Sequence, residues 1–253
     1  MLILLSPAKT MAGTSKIKAP GMTFPAFQKE ANEIALNMAQ FSLRDLKTKL
    51  KLSPKLALES YHRFQDFHSQ ETKPIQSILA YTGVVFKHIH PLDFSAEDFW
   101  FAQEHIRFVS ICYGLLRPLD GIKPYRMEYN IKLPEWGGEN MYAYWRNIQT
   151  NLLIREVKEA GGILLNLAGL DIQPAFDWKK VEAAVRIITP DFKVLKNGKT
   201  QTVVIYAKMA RGQMTRHIIK NKITEPEELK SFQWEGYHYA EGDSNKDHWT
   251  FLQ

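Results

Sequence analysis

The sequence has one cysteine, Cys112, among its 253 residues. A single thiol excludes an internal disulfide, and the apolar run of residues 108–113 predicts that Cys112 packs as a small buried hydrophobe. No stretch reaches the roughly 18 uninterrupted apolar residues of a membrane-spanning helix. Residues 1–7 are apolar but lack the features of a secretory signal, so they are predicted as a buried first strand. We therefore expect a cytoplasmic protein with no membrane partner.

The sequence also lacks the motifs of the common nucleotide-binding loops. No Gly-x-Gly-x-x-Gly follows a predicted strand, which leaves no sign of a dinucleotide. Gly198-Lys199-Thr200 matches the end of a phosphate loop, but Lys193 stands where the first glycine is required. The segment is predicted as a hairpin turn, and we expect no cofactor.

Ser6 and Lys9 have the Ser-x-x-Lys spacing by which a lysine can activate a serine nucleophile. The Ser-Asp-Asn and Lys-Thr-Gly partners of that chemistry are missing from the sequence. The preferred interpretation is therefore anion contact by Lys9 and backbone capping by Ser6.

A metal site has weak support in the sequence. His88 and His90 would lie on one face of a strand, with Asp93 close by, but no further ligand has a diagnostic spacing. We expect a structural histidine pair and no metal. An iron-handling site at these three residues is the least favoured alternative.

Helical and strand patterns alternate along the whole chain without a linker or a repeat. With 45% hydrophobic residues, 253 residues can bury a substantial core. The prediction is one mixed α/β domain over residues 1–253, with a mixed sheet surrounded by helices.

Four segments carry the more detailed structural predictions. Apolar spacing predicts a helix over residues 28–50, and the two prolines and two glycines of residues 114–126 predict a rigid surface loop with three cations. Residues 192–195 should pair with residues 202–205 across an Asn-Gly hairpin turn. A basic helix should follow over residues 207–222.

The charge is positive and unevenly distributed. The chain has 33 Lys and Arg against 27 Asp and Glu, a net charge of +6 at pH 7. Cations predominate in residues 42–55 and 206–222, whereas acids predominate in residues 225–247. Such segregation is typical of a surface that binds phosphate.

Residues 43–64 have the outline of a helix-hairpin-helix element, with a basic turn between two helices. Such an element contacts DNA phosphates without reading bases, so its binding is insensitive to sequence and sensitive to salt. Ser53 and Pro54 stand where a glycine-containing hairpin is expected. A solvated connection between two helices is the alternative.

Several motifs, in order along nearly the whole chain, resemble the signature blocks of the YaaA family of peroxide-stress proteins. The two most specific are Tyr-Gly-x-Leu-Arg-Pro-Leu-Asp, at residues 113–120, and Tyr-Ala-Lys-x-Ala-Arg-Gly, at residues 206–212. The others are Leu4 to Thr10, Tyr81 to Gly83, Pro124 to Glu128, Asn166 to Ala168 and Glu235 to Tyr237.

The resemblance implies a compact α/β fold, resistance to hydrogen peroxide by limiting iron-driven damage, and binding of duplex or branched DNA. It implies a basic cleft and a helix-hairpin-helix element as the DNA-binding surfaces. The residues that would line the cleft are Lys9, Arg117, Arg126, Lys208 and Arg211, with Ser6 and Tyr113 beside them. The residues of the hairpin are Lys47, Lys49, Lys51, Ser53 and Lys55, and Arg216 extends the basic surface along its helix.

The chain departs from the family pattern after Asn166-Leu167-Ala168. The family usually continues with a serine, an acidic residue and a tyrosine, whereas this chain continues with residues 169–172, Gly-Leu-Asp-Ile. The resemblance therefore carries no role of those usual side chains over to this chain.

The competing hypothesis is an enzyme acting on a phosphorylated or nucleotide-like small molecule. Its pocket would bring together cations and hydroxyls, which suit an anionic transition state. Those residues are Ser6, Lys9, Tyr113, Arg117, Lys208 and Arg211. No general base can be named, because Asp120 and Glu128 have arginines beside them as partners, so DNA binding is favoured over catalysis.

Overall fold

The computed structural model describes residues 1–134, 136 and 138–253, which alternate between strands and helices. The α-helices are α1 (Gln28–Ala39), α2 (Leu43–Lys49), α3 (Pro54–Gln65), α4 (Ser77–Ala80), α5 (Val84–Ile89), α6 (Ala96–His105), α7 (Met141–Glu159), α8 (Trp178–Ala184) and α9 (Val204–Asn221). The strands are β1 (Leu2–Leu5), β2 (Ile75–Gln76), β3 (Ile106–Ser110), β4 (Gly114–Leu116), β5 (Gly121–Ile122), β6 (Ile163–Asn166), β7 (Arg186–Lys196), β8 (Lys199–Gln201), β9 (His238–Tyr239) and β10 (His248–Leu252).

The main sheet has the strand order β4-β3-β1-β6-β7-β10-β9, with β8 paired to β7. Strands β3, β1, β6, β7 and β10 run parallel to one another, whereas β4, β8 and β9 pair antiparallel with β3, β7 and β10. Helices lie around this sheet, so the predicted mixed α/β fold is confirmed. The small β2–β5 pair is separate from the main sheet.

Strand β1 lies inside the sheet and organises it. Ile3 pairs with Ile106 of β3 on one side and with Leu165 of β6 on the other. All four residues of β1 are completely buried, which explains why the strand has no polar residue. The predicted first strand is confirmed.

The connections leave a crevice at the carboxyl end of β1. In the sheet, β3 lies on one side of β1 and β6 lies on the opposite side, so the strand order reverses at β1. Ligands of open α/β sheets bind at such switch points, beyond the carboxyl ends of the strands. The segments that begin with Ser6 after β1 and Leu167 after β6 therefore form the edge of a candidate site.

The prediction of a surface loop at residues 114–126 is wrong. These residues form β4, β5 and their connections, and all are buried except three half-buried cations. The Asp120 carboxylate accepts hydrogen bonds from the Thr23 hydroxyl, at 2.6 Å, and from the Arg117 amide, at 2.8 Å. The Ser77 hydroxyl donates to the Arg117 carbonyl at 2.7 Å. Because these bonds satisfy the polar groups, the segment can lie inside the protein.

The predicted helix over residues 28–50 is two helices, α1 and α2. Ser42 caps α2: its hydroxyl accepts from the Asp45 amide at 3.1 Å, and the Asp45 carboxylate accepts from the Ser42 amide at 3.2 Å. This reciprocal capping box favours a new helix over continuation of α1.

The predicted hairpin turn at Asn197-Gly198 is confirmed, since both residues have positive φ angles and join β7 to β8. The predicted pairing of residues 192–195 with residues 202–205 is wrong: β8 spans Lys199–Gln201 and pairs with Val194 to Lys196, and Val204 begins α9. Burial of Ala207, Ala210 and Met214 in the core stabilises the helix and outweighs the strand preference of the first residues.

Cys112 is buried, as predicted, and burial raises the pKa of its thiol well above the usual range. The described part of the chain has no helix that combines the length and the apolarity needed to cross a bilayer.

Helix α9 lies close against α5 at Gly212. A Cβ atom at this position would clash with the Val85 carbonyl oxygen and would lie 2.6 Å from Cβ of His88. Only glycine permits this separation of the two helix backbones. The glycine that ends the Tyr-Ala-Lys-x-Ala-Arg-Gly motif therefore has a packing role.

Two carboxylates hold the carboxyl-terminal part of α9. Asp93 accepts two bonds from the Arg216 guanidinium, at 2.6 and 2.8 Å, and buried Asp98 binds the ammonium groups of Lys220 and Lys222. The bonds from Arg216 lower the pKa of Asp93 to about 2. Burial raises the pKa of Asp98, but the bonds from its two lysines outweigh that effect and leave it well below the usual range. Both carboxylates are ionised at neutral pH.

Substitution Gly212→Ala tests the contact between α5 and α9. Helix propensity alone predicts that alanine stabilises the protein by about 1 kcal/mol. The steric clash predicts the opposite, a loss of about 1–3 kcal/mol in the free energy of unfolding measured with urea. Gly242→Ala is the control, because its Cβ would meet nothing within 4 Å. A Gly212→Ala variant as stable as the wild type would contradict the close packing.

Acid titration tests the two carboxylates. Their folded-state pKa values lie below the ordinary value of 3.8, so the unfolded chain binds more protons than the folded protein as the pH falls below 3.8. The free energy of unfolding should therefore decrease as the pH is lowered through that window. In the double variant Asp93→Asn/Asp98→Asn, the decrease in unfolding free energy from about pH 5 to about pH 3 should be smaller than in the wild type. An equal decrease in the variant and the wild type would show that these contacts do not contribute to the acid sensitivity of the protein.

Candidate functional site

Three adjoining depressions meet at Lys9, beyond the carboxyl end of β1. The basic cavity, of about 610 Å³, contains Ser6, Lys208 and Arg211. The tyrosine cavity, of about 130 Å³, contains Arg126 and Tyr129. The α3 cavity, of about 120 Å³, lies between Lys9 and helix α3. Because Lys9 lines all three, we treat them as one groove.

Lys9 joins two of the segments around the groove. Its ammonium group lies 2.7 and 2.9 Å from the two carboxylate oxygens of Glu128, and its carbonyl accepts a bond of 3.0 Å from the Arg126 guanidinium. The Lys9 side chain is 65% exposed. An ion pair this exposed contributes little free energy, so an anionic ligand can replace Glu128 as the partner of Lys9.

Ser6 connects the ends of β1 and β6. Its hydroxyl oxygen accepts a bond of 2.8 Å from the Gly169 amide. Lys9 binds Glu128, and no bond joins Lys9 to Ser6 in the described structure. The geometry is therefore that of a capping serine beside an anion-contacting lysine, without an assembled nucleophile and base.

Gly169 has a steric role in the segment that departs from the family pattern. A Cβ at Gly169 would clash with the carboxylate of Asp171 and would lie 3.5 Å from the Ser6 hydroxyl oxygen. The glycine leaves room for Asp171, which lines both the basic and the tyrosine cavity. The segment that departs from the family pattern therefore still places a carboxylate, that of Asp171, beside the cations.

Helix α9 contributes two of the three cations that line the basic cavity, and Lys9 is the third. Lys208 is exposed and forms no ion pair in the described part of the chain. The guanidinium Nε of Arg211 is buried and has no hydrogen-bond partner among the described residues. Burial lowers the pKa of Arg211, and the carboxylates of Asp191 and Asp171 oppose that shift, so Arg211 stays protonated. Two nearly unneutralised cations favour an anionic ligand.

The tyrosine cavity contains two further donors without partners. Nε of Arg126 and the Tyr129 hydroxyl are buried and make no hydrogen bond within the described residues. The Tyr129 ring stacks on Tyr142, with centroids 4.4 Å apart. The Tyr142 hydroxyl donates to the Asp171 carbonyl at 2.8 Å. Burial raises the pKa of Tyr129 well above the ordinary value, so its hydroxyl is a donor at neutral pH.

Arg117 and Tyr113 lie away from the basic cavity. The Arg117 guanidinium binds the Asp120 carboxylate at 3.0 Å and the Phe24 carbonyl at 3.1 Å. Tyr113 is buried, and its hydroxyl accepts a bond of 2.9 Å from the Lys123 amide beside a separate cavity of about 410 Å³. Of the six residues predicted to converge in a pocket, the structure brings together Ser6, Lys9, Lys208 and Arg211. Tyr113 and Arg117 are held elsewhere by their hydrogen bonds.

The lysines of the predicted hairpin surround the turn between α2 and α3. All of them are exposed, and none makes a salt bridge in the described structure; they are Lys47, Lys49, Lys51 and Lys55. The Ser53 hydroxyl caps α3 by accepting from the Leu56 amide, at 3.4 Å. The segment is thus a pair of capped helices with a basic turn, and a helix-hairpin-helix motif is not established by it. Arg216, also predicted to contact DNA, is occupied by Asp93.

Arg63 of α3 is a cation of the groove that the sequence analysis missed. It lines the α3 cavity and donates to the carbonyls of Met11, at 3.3 Å, and Tyr125, at 3.4 Å. Burial lowers the pKa of Arg63, Glu59 opposes that shift, and the positive charge of Arg126, which lines the same cavity, lowers the pKa further. The only sequence signal was the pairing of Arg63 with Glu59, one helical turn earlier.

The histidine pair does not lie on a strand, as the metal hypothesis assumed. His88 belongs to α5, and His90 ends that helix in the left-handed conformation. Asp93 binds Arg216. Among the described residues, no group of three or more His, Cys, Asp or Glu side chains is placed to hold a metal ion.

The sequence is similar to whole proteins of related length. It is 66% identical over 253 residues to a UPF0246 protein of Parabacteroides distasonis, covering 100% of both chains. It is 52% identical over 251 residues to one from Phocaeicola vulgatus, covering 99% of this chain and 98% of the relative. The identity is 39% over 254 residues with one from Porphyromonas gingivalis, covering 100% and 99%.

The sequence model of a family described as "Peroxide stress protein YaaA" matches residues 1–243. This match covers the elements that form the groove, from Ser6 after β1 to Arg211 of α9. The chain therefore belongs to the YaaA family of peroxide stress proteins.

Proposed function

We propose that the protein binds duplex or branched DNA through the groove and the exposed lysines of α2 and α3. The observation that carries this proposal is the meeting of cations from separate segments at the groove, a depression made of three adjoining cavities that share Lys9. Those cations are Lys9, Arg63, Arg126, Lys208 and Arg211. Helix α3 forms one wall of that depression and begins beside the basic turn. The lysines of the turn extend the positive surface beyond the groove.

The chemistry of these side chains suits the DNA backbone. Lysine and arginine contact phosphates without distinguishing bases, and each contact releases counterions from the DNA. Binding should therefore depend weakly on sequence and strongly on salt. Among the described residues of the groove, Ser6 accepts a bond from the Gly169 amide and Lys9 binds Glu128, an arrangement that supports a binding role.

The family description supports a role during peroxide stress. A protein that covers the DNA backbone would shield it from oxidants that iron generates nearby, and this is the link to iron-driven damage that we propose. DNA as the partner, together with a single reduced and buried Cys112, supports the cytoplasm as the site of action.

Removal of Lys208 and Arg211 tests the contribution of the groove. Fluorescence anisotropy with a labelled duplex across a salt series should give a slope of log K against log salt that is shallower by about two in Lys208→Ala/Arg211→Gln. The loss should be similar for unrelated DNA sequences. Lys179→Ala/Lys246→Ala is the matched control, because both lysines are exposed and neither lines the groove. Equal losses in the two double variants would show only a general charge effect.

Removal of two lysines at the basic turn tests the second part of the surface. Lys47→Ala/Lys51→Ala should weaken binding of duplex and four-way-junction DNA and reduce the salt slope by about two, since neither lysine has an acidic partner in the described chain. The measurement is the same anisotropy titration, with unfolding temperature as the check on folding. Unchanged affinity would restrict the DNA surface to the groove.

A further inference from the structure

The basic and tyrosine cavities share one wall, which consists of Ser6 to Lys9 and Asp171. We propose that they form a single pocket for a phosphomonoester of nucleotide size, whose phosphate binds Lys208 and Arg211 and whose polar end reaches Tyr129. This site lies beyond the backbone binding proposed above, because it recognises a terminal phosphate instead of the continuous backbone.

Three buried donors without partners support a ligand at this place. They are Nε of Arg211, Nε of Arg126 and the hydroxyl of Tyr129, none of which has a partner among the described residues. A buried donor without a partner destabilises a protein, and more so when the donor is charged. All three donors belong to residues that line the two cavities, so a molecule bound there supplies the missing acceptors once neighbouring side chains move aside.

The charges favour a phosphomonoester over a phosphodiester. Lys208 has no acidic partner in the described chain. The guanidinium of Arg211 likewise forms no direct ion pair with a described carboxylate. Asp171 is the one carboxylate of a described residue in the basic cavity. A phosphomonoester carries a charge of about −1.5 to −2 at pH 7, whereas each backbone phosphate of DNA carries −1. The cavity is lined by three cations, Lys9, Lys208 and Arg211, and by the carboxylate of Asp171, so a doubly charged phosphate balances the formal charge of its lining.

The remaining lining matches an organic group beside the phosphate. Val84, Leu170 and Val204 form an apolar part of the basic cavity. Leu170 is 76% exposed and Val204 is 65% exposed, although both are apolar. A volume of about 610 Å³ lies within the usual range for small-molecule pockets, and a few polar groups among apolar side chains are typical of such sites.

Two kinds of molecule present such a phosphomonoester: a free mononucleotide and a DNA strand that ends in a 5′-phosphate. The first probe is deoxyadenosine 5′-monophosphate, with deoxyadenosine as the control that lacks the phosphate. Isothermal titration calorimetry should detect binding of the monophosphate alone to the wild type. Arg211→Gln and Lys208→Gln should each weaken it about tenfold or more, since each removes a charge-assisted hydrogen bond.

Two further variants separate recognition from folding. Asp171→Asn removes negative charge from both cavities and should tighten binding of the monophosphate by about two- to fivefold. Tyr129→Phe removes the unpartnered hydroxyl, so it should weaken binding while leaving the unfolding temperature unchanged or raised. If Arg211→Gln fails to fold, Lys208→Gln decides the question, because its side chain is exposed.

The DNA-end source is tested with one duplex prepared with 5′-phosphate or 5′-hydroxyl ends. Tighter binding of the phosphorylated duplex, lost in Lys208→Gln, supports the pocket even if the free monophosphate does not bind. Absence of both effects, or monophosphate binding that all of these variants retain, overturns the inference. A dumbbell DNA without ends reports the backbone groove by itself, so its binding distinguishes failure of this pocket from failure of the proposed function.

Discussion

The arrangement of the groove depends on the burial of β1 between two parallel neighbours. Leu2 to Leu5 are completely buried and pair with β3 on one side and β6 on the other. The polar residues that follow β1 therefore lie at the carboxyl edge of the sheet. Ser6 and Lys9 stand immediately beyond that edge. The bond from the Gly169 amide to Ser6 then ties the end of β6 to the same place. An apolar strand thereby fixes the position of a polar and charged site.

Acidic residues divide the cations of α9 into two groups with different roles. Asp93 and Asp98 neutralise the cations of the carboxyl-terminal part and fasten the helix to the neighbouring segments. Lys208 and Arg211, one to two turns from the start of the helix, have no such partners in the described chain. The helix is therefore anchored at one end and leaves its other end positively charged beside the groove. A net charge of +6 would not have shown this division.

Local signals in the sequence predicted the local structure, and distant contacts explain the failures. The all-apolar β1 and the Asn197-Gly198 turn were predictable because each depends on a few adjacent residues. The break at Ser42 also had a local signal, the Ser-x-x-Asp spacing of a capping box, which the apolar periodicity of a longer helix obscured. The burial of residues 114–126 was not predictable, because it depends on hydrogen bonds from Thr23 and Ser77, far away in the sequence.

The same distinction applies to the site. Motif order identified Ser6, Lys9, Lys208 and Arg211, which do meet in one cavity, but it also included Arg117, whose hydrogen bonds hold it elsewhere. Hydrogen–deuterium exchange with and without a duplex tests the central claim most directly, because it maps the DNA-binding surface on the intact protein. We predict that DNA slows exchange in residues 6–10, in α3 and in the first turns of α9. Protection confined to β9 and β10, with no change around the groove, would contradict the account.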